Sequence, residues 1–426
     1  MYVRDLEPHP NVRGAQRMKP KRKRFWIARG IFRTLRRFVE VLVILVLLIL
    51  LFVTPKTEEA HFDKESAQGI AYTPPVSVVP GPTIPQALSI NHSNNVLDIA
   101  EYKGEYYLGF RTAPTHFASR KAKIIVLRSP DRKQWVKDAE FQFGCDVRET
   151  RLMVFKDKLF LYFFQAGKNP FGFSPKSIFA TERNPEGGWT QARPIYKPGY
   201  VVWRAKAYGD TAYMSVYYGK GLYDFWKEKT GELRLLTSTD GYDWQPVSEK
   251  PQVTEMGAEE GDFEFDDQGN LVAVVRLEMS GALVCTASKD NLGLWTTAYT
   301  PYKYDSPLLF RHNGTMYLVA RRNIAGPFNR EWNILPEFLQ RAWNHVCYSS
   351  TRKRTSLYKV DPIMRKVIPL FDFPSTGDTS IAAITPLDRQ SYCLMYYSTP
   401  IGGRDMPWFF GQLFGANIYE TTLTLP

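Results

Sequence analysis

Gly261–Glu278, GDFEFDDQGNLVAVVRLE, decides the fold. It reads as a β-hairpin: a polar first strand, a tight DDQGN turn around Gly269, and an apolar second strand ending in Arg276. The unit recurs. Turn residues Gly104, Asp157, Asp210, Gly269, Gly314 and Arg389 precede the strands YYLGFR, LFLYFF, AYMSVYY, LVAVVR, MYLVAR and YCLMYY, at spacings of 53, 53, 59, 45 and 75 residues. Some copies continue into a second signature: SPDRKQW (Ser129–Trp135), STDGYDW (Ser238–Trp244) and SKDNLGLW (Ser288–Trp295), with TERNPEGGW (Thr181–Trp189) a degenerate version. In these, Ser and Asp suit the turn backbone and Trp suits the space between sheets. A period near 50 residues with short strands is the mark of a β-propeller. Six copies over 91–426 predict an all-β, six-bladed propeller. A pair of β-sandwiches, or five blades with one irregular copy, are the alternatives.

Charge divides the chain. Residues 1–37 hold twelve Lys and Arg against Asp5 and Glu7, a net +10, while the other 389 residues carry about +2 of the total +12. A nucleic-acid-binding body would be basic on its folded part, so nucleic acid is not an expected partner. Phe38–Val53, FVEVLVILVLLILLFV, is apolar except for Glu40. Behind a basic tail it predicts a single transmembrane signal anchor over 38–54, with the N-terminus in the cytoplasm and the bulk outside it. Residues 55–90, with Pro55, Pro74, Pro75, Pro80, Pro82 and Pro85, read as an extended stalk. The expected location is a bacterial inner membrane facing the periplasm. The sequons at Asn91 and Asn313 keep a Golgi-type lumen as the second choice. Cys145, Cys285, Cys347 and Cys393 are scattered, and no metal or nucleotide motif occurs, so neither metal nor cofactor is expected. The insertion Ile324–Arg354 contains apolar residues at helical spacing and predicts a helix packed on the propeller's flank, with a lid or membrane-facing patch as the other reading.

Seven residues beyond each turn lie Arg111, Phe164, Tyr217, Arg276, Arg321 and Tyr396. Equal offsets in equivalent strands mean one face and one height, so three arginines and two tyrosines converge at one end of the channel. The partner strands begin there too, and they are polar: Asp98, Asp146, Arg148, Glu149, Arg151, Arg204, Lys206, Glu259, Glu260, Asp262, Glu264, Asp305 and Asp378. Arginine forks at one locus suit a carboxylate-bearing sugar, and a tyrosine beside a carboxylate can act as a nucleophile. His116, just after Arg111, is the histidine placed nearest this mouth.

The pattern resembles the sialidase (neuraminidase) superfamily with its BNR/Asp-box repeats, and more narrowly a group of bacterial sialidase-like propeller proteins. Gly109–Pro114, GFRTAP, is similar to that family's FRIP motif, and the later order Glu264, Arg276, Arg321 (or Arg322), Tyr396 (or Tyr397) also matches. The resemblance covers about residues 91–426. It implies that Arg111, Arg276 and Arg321 hold a substrate carboxylate. Tyr396 would be the nucleophile with Glu264 or Glu260 as its base, and Asp146 or His116 would be the acid. Arg148, Arg204, Lys206 and Asp378 are further expected sugar contacts. The sequence departs from the family in lacking an Asp in the loop after Arg111 and in Asp boxes one residue short at Ser129 and Ser238. The expectation is a membrane-anchored glycoside hydrolase, with a non-catalytic glycan-binding propeller or a protein scaffold as alternatives.

Overall fold

The computed structural model of the chain describes residues 30, 32–42, 44–45, 60–168, 173–219, 231–254, 257–328 and 336–426. Two compact units result, Met1–Thr54 and Pro55–Pro426. In the first, residues 32–42 are helical. Most of the expected span Phe38–Val53 lies outside the described residues, and among those described no helix is long and apolar enough to cross a membrane.

The second unit is a six-bladed propeller. It opens with β1 (Ala71–Tyr72) and β2 (Val76–Val79). Blade one holds β3 (Ser93–Tyr102), β4 (Glu105–Ala113), β5 (Lys123–Ser129) and β6 (Val136–Phe141). Blade two holds β7 (Asp146–Phe155), β8 (Lys158–Gly167), β9 (Ile178–Glu182) and β10 (Arg193–Pro194). Blade three holds β11 (Tyr200–Tyr208), β12 (Thr211–Tyr218), β13 (Leu233–Ser238) and β14 (Gln245–Pro246). Blade four holds β15 (Ala258–Phe265), β16 (Leu271–Leu277), β17 (Ala282–Ala287) and β18 (Thr296–Thr300). Blade five holds β19 (Asp305–His312), β20 (Thr315–Asn323), β21 (Lys353–Asp361) and β22 (Lys366–Phe373). Blade six holds β23 (Thr379–Pro386), β24 (Ser391–Ser398) and β25 (Asn417–Thr424). The first strand of each blade packs on the first strand of the next, and β23 returns to β3, closing the ring.

The sixth blade is completed by the N-terminal segment. β1 and β2 both pair with β25, Ala71 opposite Thr424 and Val76 opposite Glu420. Ala71–Tyr72 and Val76–Val79, expected in the stalk, are therefore propeller strands. The prolines stand outside the paired positions, while Val78 and Val79 are buried in the core. Between blades, the turn signatures behave as their chemistry requires. Ser238 Oγ lies 2.9 Å from Asp240 Oδ1, which accepts the amides of Tyr242 and Asp243 at 2.8 Å. Trp244 is buried edge-on against Tyr162 of blade two. All four cysteines are free thiols.

Every first strand carries a β-bulge at one level. The register against the second strand shifts between Asn95 and Asp98, Arg148 and Arg151, Val202 and Arg204, Glu259 and Gly261, Asp305 and Leu308, and Ser380 and Ala383. Five of the six place a non-glycine residue in the left-handed region: Val96 (φ 51°), Glu149 (55°), Glu260 (40°), Ser306 (55°) and Ile381 (39°). Such bulges re-aim side chains.

Two helices stand at the charged end. α1 (Glu337–Ser349) lies in the Ile324–Arg354 insertion, and α2 (Trp408–Phe414) follows blade six. α1 does not merely lie on the flank: the Tyr348 hydroxyl donates to Asp305 at the start of β19, and Tyr348 packs edge-on against Trp408 of α2.

Candidate functional site

From the turn as far as the level of Arg111 and its counterparts, the second strands run without a bulge. Arg111, Phe164, Tyr217, Arg276, Arg321 and Tyr397 each lie opposite the start of a first strand: Asn95, Arg148, Val201, Glu259, Asp305 and Ser380 respectively. The three expected arginines thus share one level. Tyr396 does not belong with them. It faces the apolar space between blades, beside Phe373 and Tyr419, and its hydroxyl donates to Pro374 O at 2.7 Å. The blade-six turn, Leu387–Ser391, is as long as the blade-four turn, Asp266–Asn270, but Arg389 stands one residue earlier in it than Gly269 does in the other. Counting from Arg389 therefore lands one residue short, and one residue inverts the face. Tyr397 takes the place.

Arg321, Tyr397, Asp378 and His116 form a chain. Arg321 Nη2 donates to Tyr397 Oη at 3.1 Å, Tyr397 Oη donates to Asp378 Oδ1 at 3.2 Å, and His116 Nδ1 lies 2.7 Å from Asp378 Oδ2. Trp408 Nε1 also donates to Asp378 Oδ1, at 3.0 Å. The close approach of α2 needs Gly411, since a Cβ there would lie 2.1 Å from Asp378 N. Burial alone would raise the Asp378 pKa, but His116 and Arg321 hold it below the ordinary value. Burial lowers that of His116 despite Asp378. Burial, with Asp378 adding to it, pushes the Tyr397 phenol well up.

Arg111 is fully buried, and its five N–H donors are taken. Nε and Nη2 reach Asp146 Oδ1 at 3.0 and 2.7 Å, Nη1 reaches Asn95 Oδ1 and Thr115 O at 3.3 Å each, and Nη2 reaches Phe117 O at 3.1 Å. Carbonyls of the TAPTHFAS loop thus stand where a ligand's carboxylate would have to go. Arg148 clamps the same pieces, with Nε 2.5 Å from Asp146 Oδ2 and Nη2 2.6 Å from His116 O.

Arg276 lies among four carboxylates: Glu259 at 3.0 Å, Glu260 at 2.7 Å, Asp305 at 2.9 Å, and Glu278. Asp305 is shared with Arg321, 3.5 Å away. Burial would depress the Arg276 pKa, but these carboxylates drive it well up. Burial raises the Glu259 carboxyl, whereas Glu278 is held low by Lys303 and Arg276 against its own burial. Glu264 is not part of this group. It pairs with Val272, nearer the turn, and its carboxylate lies 3.4 Å from Lys206 Nζ. An antiparallel hairpin sets the strand's start, Glu259, beside Arg276, so register places Glu264, one of the two expected bases, away from it.

Deeper in the channel, Arg204 Nη2 donates to Pro307 O at 3.3 Å and Ala382 O at 2.9 Å, and Lys206 Nζ reaches Asp262 at 3.0 Å and the carbonyls of Phe263 and Leu309. These two expected sugar contacts are engaged with partners on other blades. Glu149 and Arg151 lie at the bulge level, with Arg151 Nη2 donating to Glu149 Oε2 at 2.8 Å. Sequence reasoning missed Tyr348 in the insertion, Trp408 in the helix after blade six, Lys303 between blades four and five, and Glu278, two residues beyond Arg276 at the end of the hairpin. It placed Glu149 among the polar strand starts but gave it no role. Among the described residues no group of His, Cys, Asp and Glu is arranged to hold a metal.

No protein-family model matches the sequence, and no curated protein matches it. Solved structures do match in shape. A Dyadobacter fermentans protein of unknown function superposes with a TM-score of 0.57 over 84% of this chain and all of its own, at 15% identity. The Trypanosoma rangeli sialidase bound to the inhibitor DANA gives 0.55 over 80% of this chain at 12% identity, and its complex with sialic acid 0.51 over 84% at 12%. The fold is the sialidase-type propeller. This chain spans 57% and 59% of those two sialidase chains. At such identity the likeness concerns the fold alone.

Proposed function

We propose that the propeller binds and hydrolyses a glycan at the charged end of its channel, held outside the cytoplasm by the apolar stretch 38–54. The observation that carries this reading is the chain Arg321–Tyr397–Asp378–His116, converging with the Arg276 carboxylates on one end of a sialidase-type propeller. Buried ionisable groups gathered at one mouth are the usual equipment of an active site. The arginines answer internal acceptors, so recognition through carboxylates and hydroxyls fits a neutral or amino sugar better than an acidic one. The basic tail and apolar stretch support the anchor and its orientation.

A second reading, a glycan-binding propeller without turnover, is favoured by the saturation of Arg111 and the full burial of Tyr397. The full chain in detergent should be assayed on 4-methylumbelliferyl glycosides of N-acetylglucosamine, galactose, glucuronic acid and sialic acid, and on a glycan array. Turnover of a neutral or amino-sugar glycoside is expected. Saturable array binding with no hydrolysis anywhere would replace the first reading with the second.

A further inference from the structure

Glu149 occupies the bulge of β7, with φ 55°, and Glu260 the bulge of β15, with φ 40°. They are the two carboxylates among the left-handed bulge residues of the six first strands, and these strands line the channel. Their environments differ. Glu260 is fixed at both oxygens: Oε1 lies 2.7 Å from Arg276 Nη1 and Oε2 accepts the Ser306 amide at 2.9 Å. Glu149 has a side chain only 9% exposed, and Arg151 reaches it at Oε2 alone. Among the described residues its Oε1 has no partner. Two carboxylates set apart in this way are what glycoside hydrolysis asks for, one kept as the acid and the other kept ionised.

Resting on the hydrolase reading above, we infer that Glu149 is the general acid of the reaction and Glu260 its ionised partner. Glu149 Oε1 gives its proton to the glycosidic oxygen as the bond from that oxygen to the anomeric carbon breaks, the electron pair leaving with the alcohol. Water adds to the anomeric carbon and its proton passes to Glu260. Solvent exchange then returns the proton to Glu149, so one glycoside and one water become one sugar and one alcohol. The groups acting on Glu149 support the role. Burial pushes its pKa up to about 7, and the neighbouring Glu260 adds to that, against the opposing pull of Arg151, Arg148 and Arg204.

The test uses whichever glycoside the full chain cleaves, prepared once with a poor alkyl leaving group and once with 2,4-dinitrophenolate, which departs without a proton. Glu149→Gln is expected to lower kcat on the alkyl glycoside by about 10²–10⁴-fold, the usual scale of general acid catalysis. It should leave the dinitrophenyl glycoside within about tenfold and abolish the alkaline fall of the kcat/KM profile near pH 7. Glu149→Asp, with thermal melting as a folding control, should keep that fall at reduced rate. Equal losses on both substrates with an unchanged pH profile would sink the assignment while leaving the hydrolase reading intact. A wild-type chain that cleaves neither substrate overturns both.

Discussion

Glu149 carries a stability consequence separate from any chemistry. Its folded pKa of about 7 lies above the ordinary 4.5, because burial disfavours the charged form more than Arg151 favours it. Arg151 is shifted the same way, toward neutrality, to about 10, so both partners agree that burial outweighs the ion pair. A raised carboxyl pKa gives stability that is whole below 4.5 and is lost as pH rises through 7. A shift of this size corresponds to up to about 3 kcal/mol. Urea unfolding of the wild type and Glu149→Gln at pH 5 and pH 8 should show the variant gaining that much relative to the wild type at the higher pH. A pH-independent gap would mean that Glu149 is ionised throughout.

At the scale of elements, what the sequence made legible follows the bulges. The second strands carry none between the turn and the level of Arg111, so a simple count from the turn found Arg111, Arg276 and Arg321 on one level. It slipped only at Tyr396, because Arg389 lies one residue earlier in its turn than Gly269 does in the equally long turn of blade four. The first strands all carry one, so alternation could not say which of Glu259, Glu260 and Glu264 would meet Arg276; of the two expected bases Glu260 does and Glu264 does not. Tyr348 and Trp408 come from helices outside the repeat, where no internal comparison exists. The closing strands were hidden by prolines that read as a linker. Val78 and Val79 are buried there, each contributing roughly 1.5–3 kcal/mol. Removing residues 1–80 should therefore bare the edge of β25, lower the melting temperature by several degrees and promote aggregation. Removing residues 1–58 should change stability by less than about 1 kcal/mol. Equal melting temperatures for the two truncations would show that β2 contributes no closure.

For the propeller as a whole, the ring is held from inside as well as along its blade contacts. Arg204, on blade three, donates to carbonyls on blades five and six, 3.3 Å from Pro307 O and 2.9 Å from Ala382 O, and lies 3.6 Å from Asp262 on blade four. Arg151, on blade two, reaches the carbonyl of Leu97 on blade one at 3.3 Å and that of Trp203 on blade three. A propeller whose blades touched only their neighbours could come apart one blade at a time, whereas cations spanning the channel tie distant blades to one transition. Replacing Arg204 by leucine leaves Asp262 with one cation fewer and takes the Arg204 donor from Ala382 O, while Pro307 O keeps the Trp203 indole N–H at 3.3 Å. The cost of breaking such a buried pair is about 3–5 kcal/mol. Beyond that loss, the variant should unfold less cooperatively, with tryptophan fluorescence and far-ultraviolet circular dichroism no longer coinciding along the urea curve. Arg183→Leu makes the control. Arg183 joins β9 to Asp138 of the neighbouring blade near the propeller's outer edge, 3.3 Å away, and does not cross the channel. It should lower stability while keeping the two probes superimposed. If both variants stay two-state, the cross-channel arginines add stability without coupling the blades.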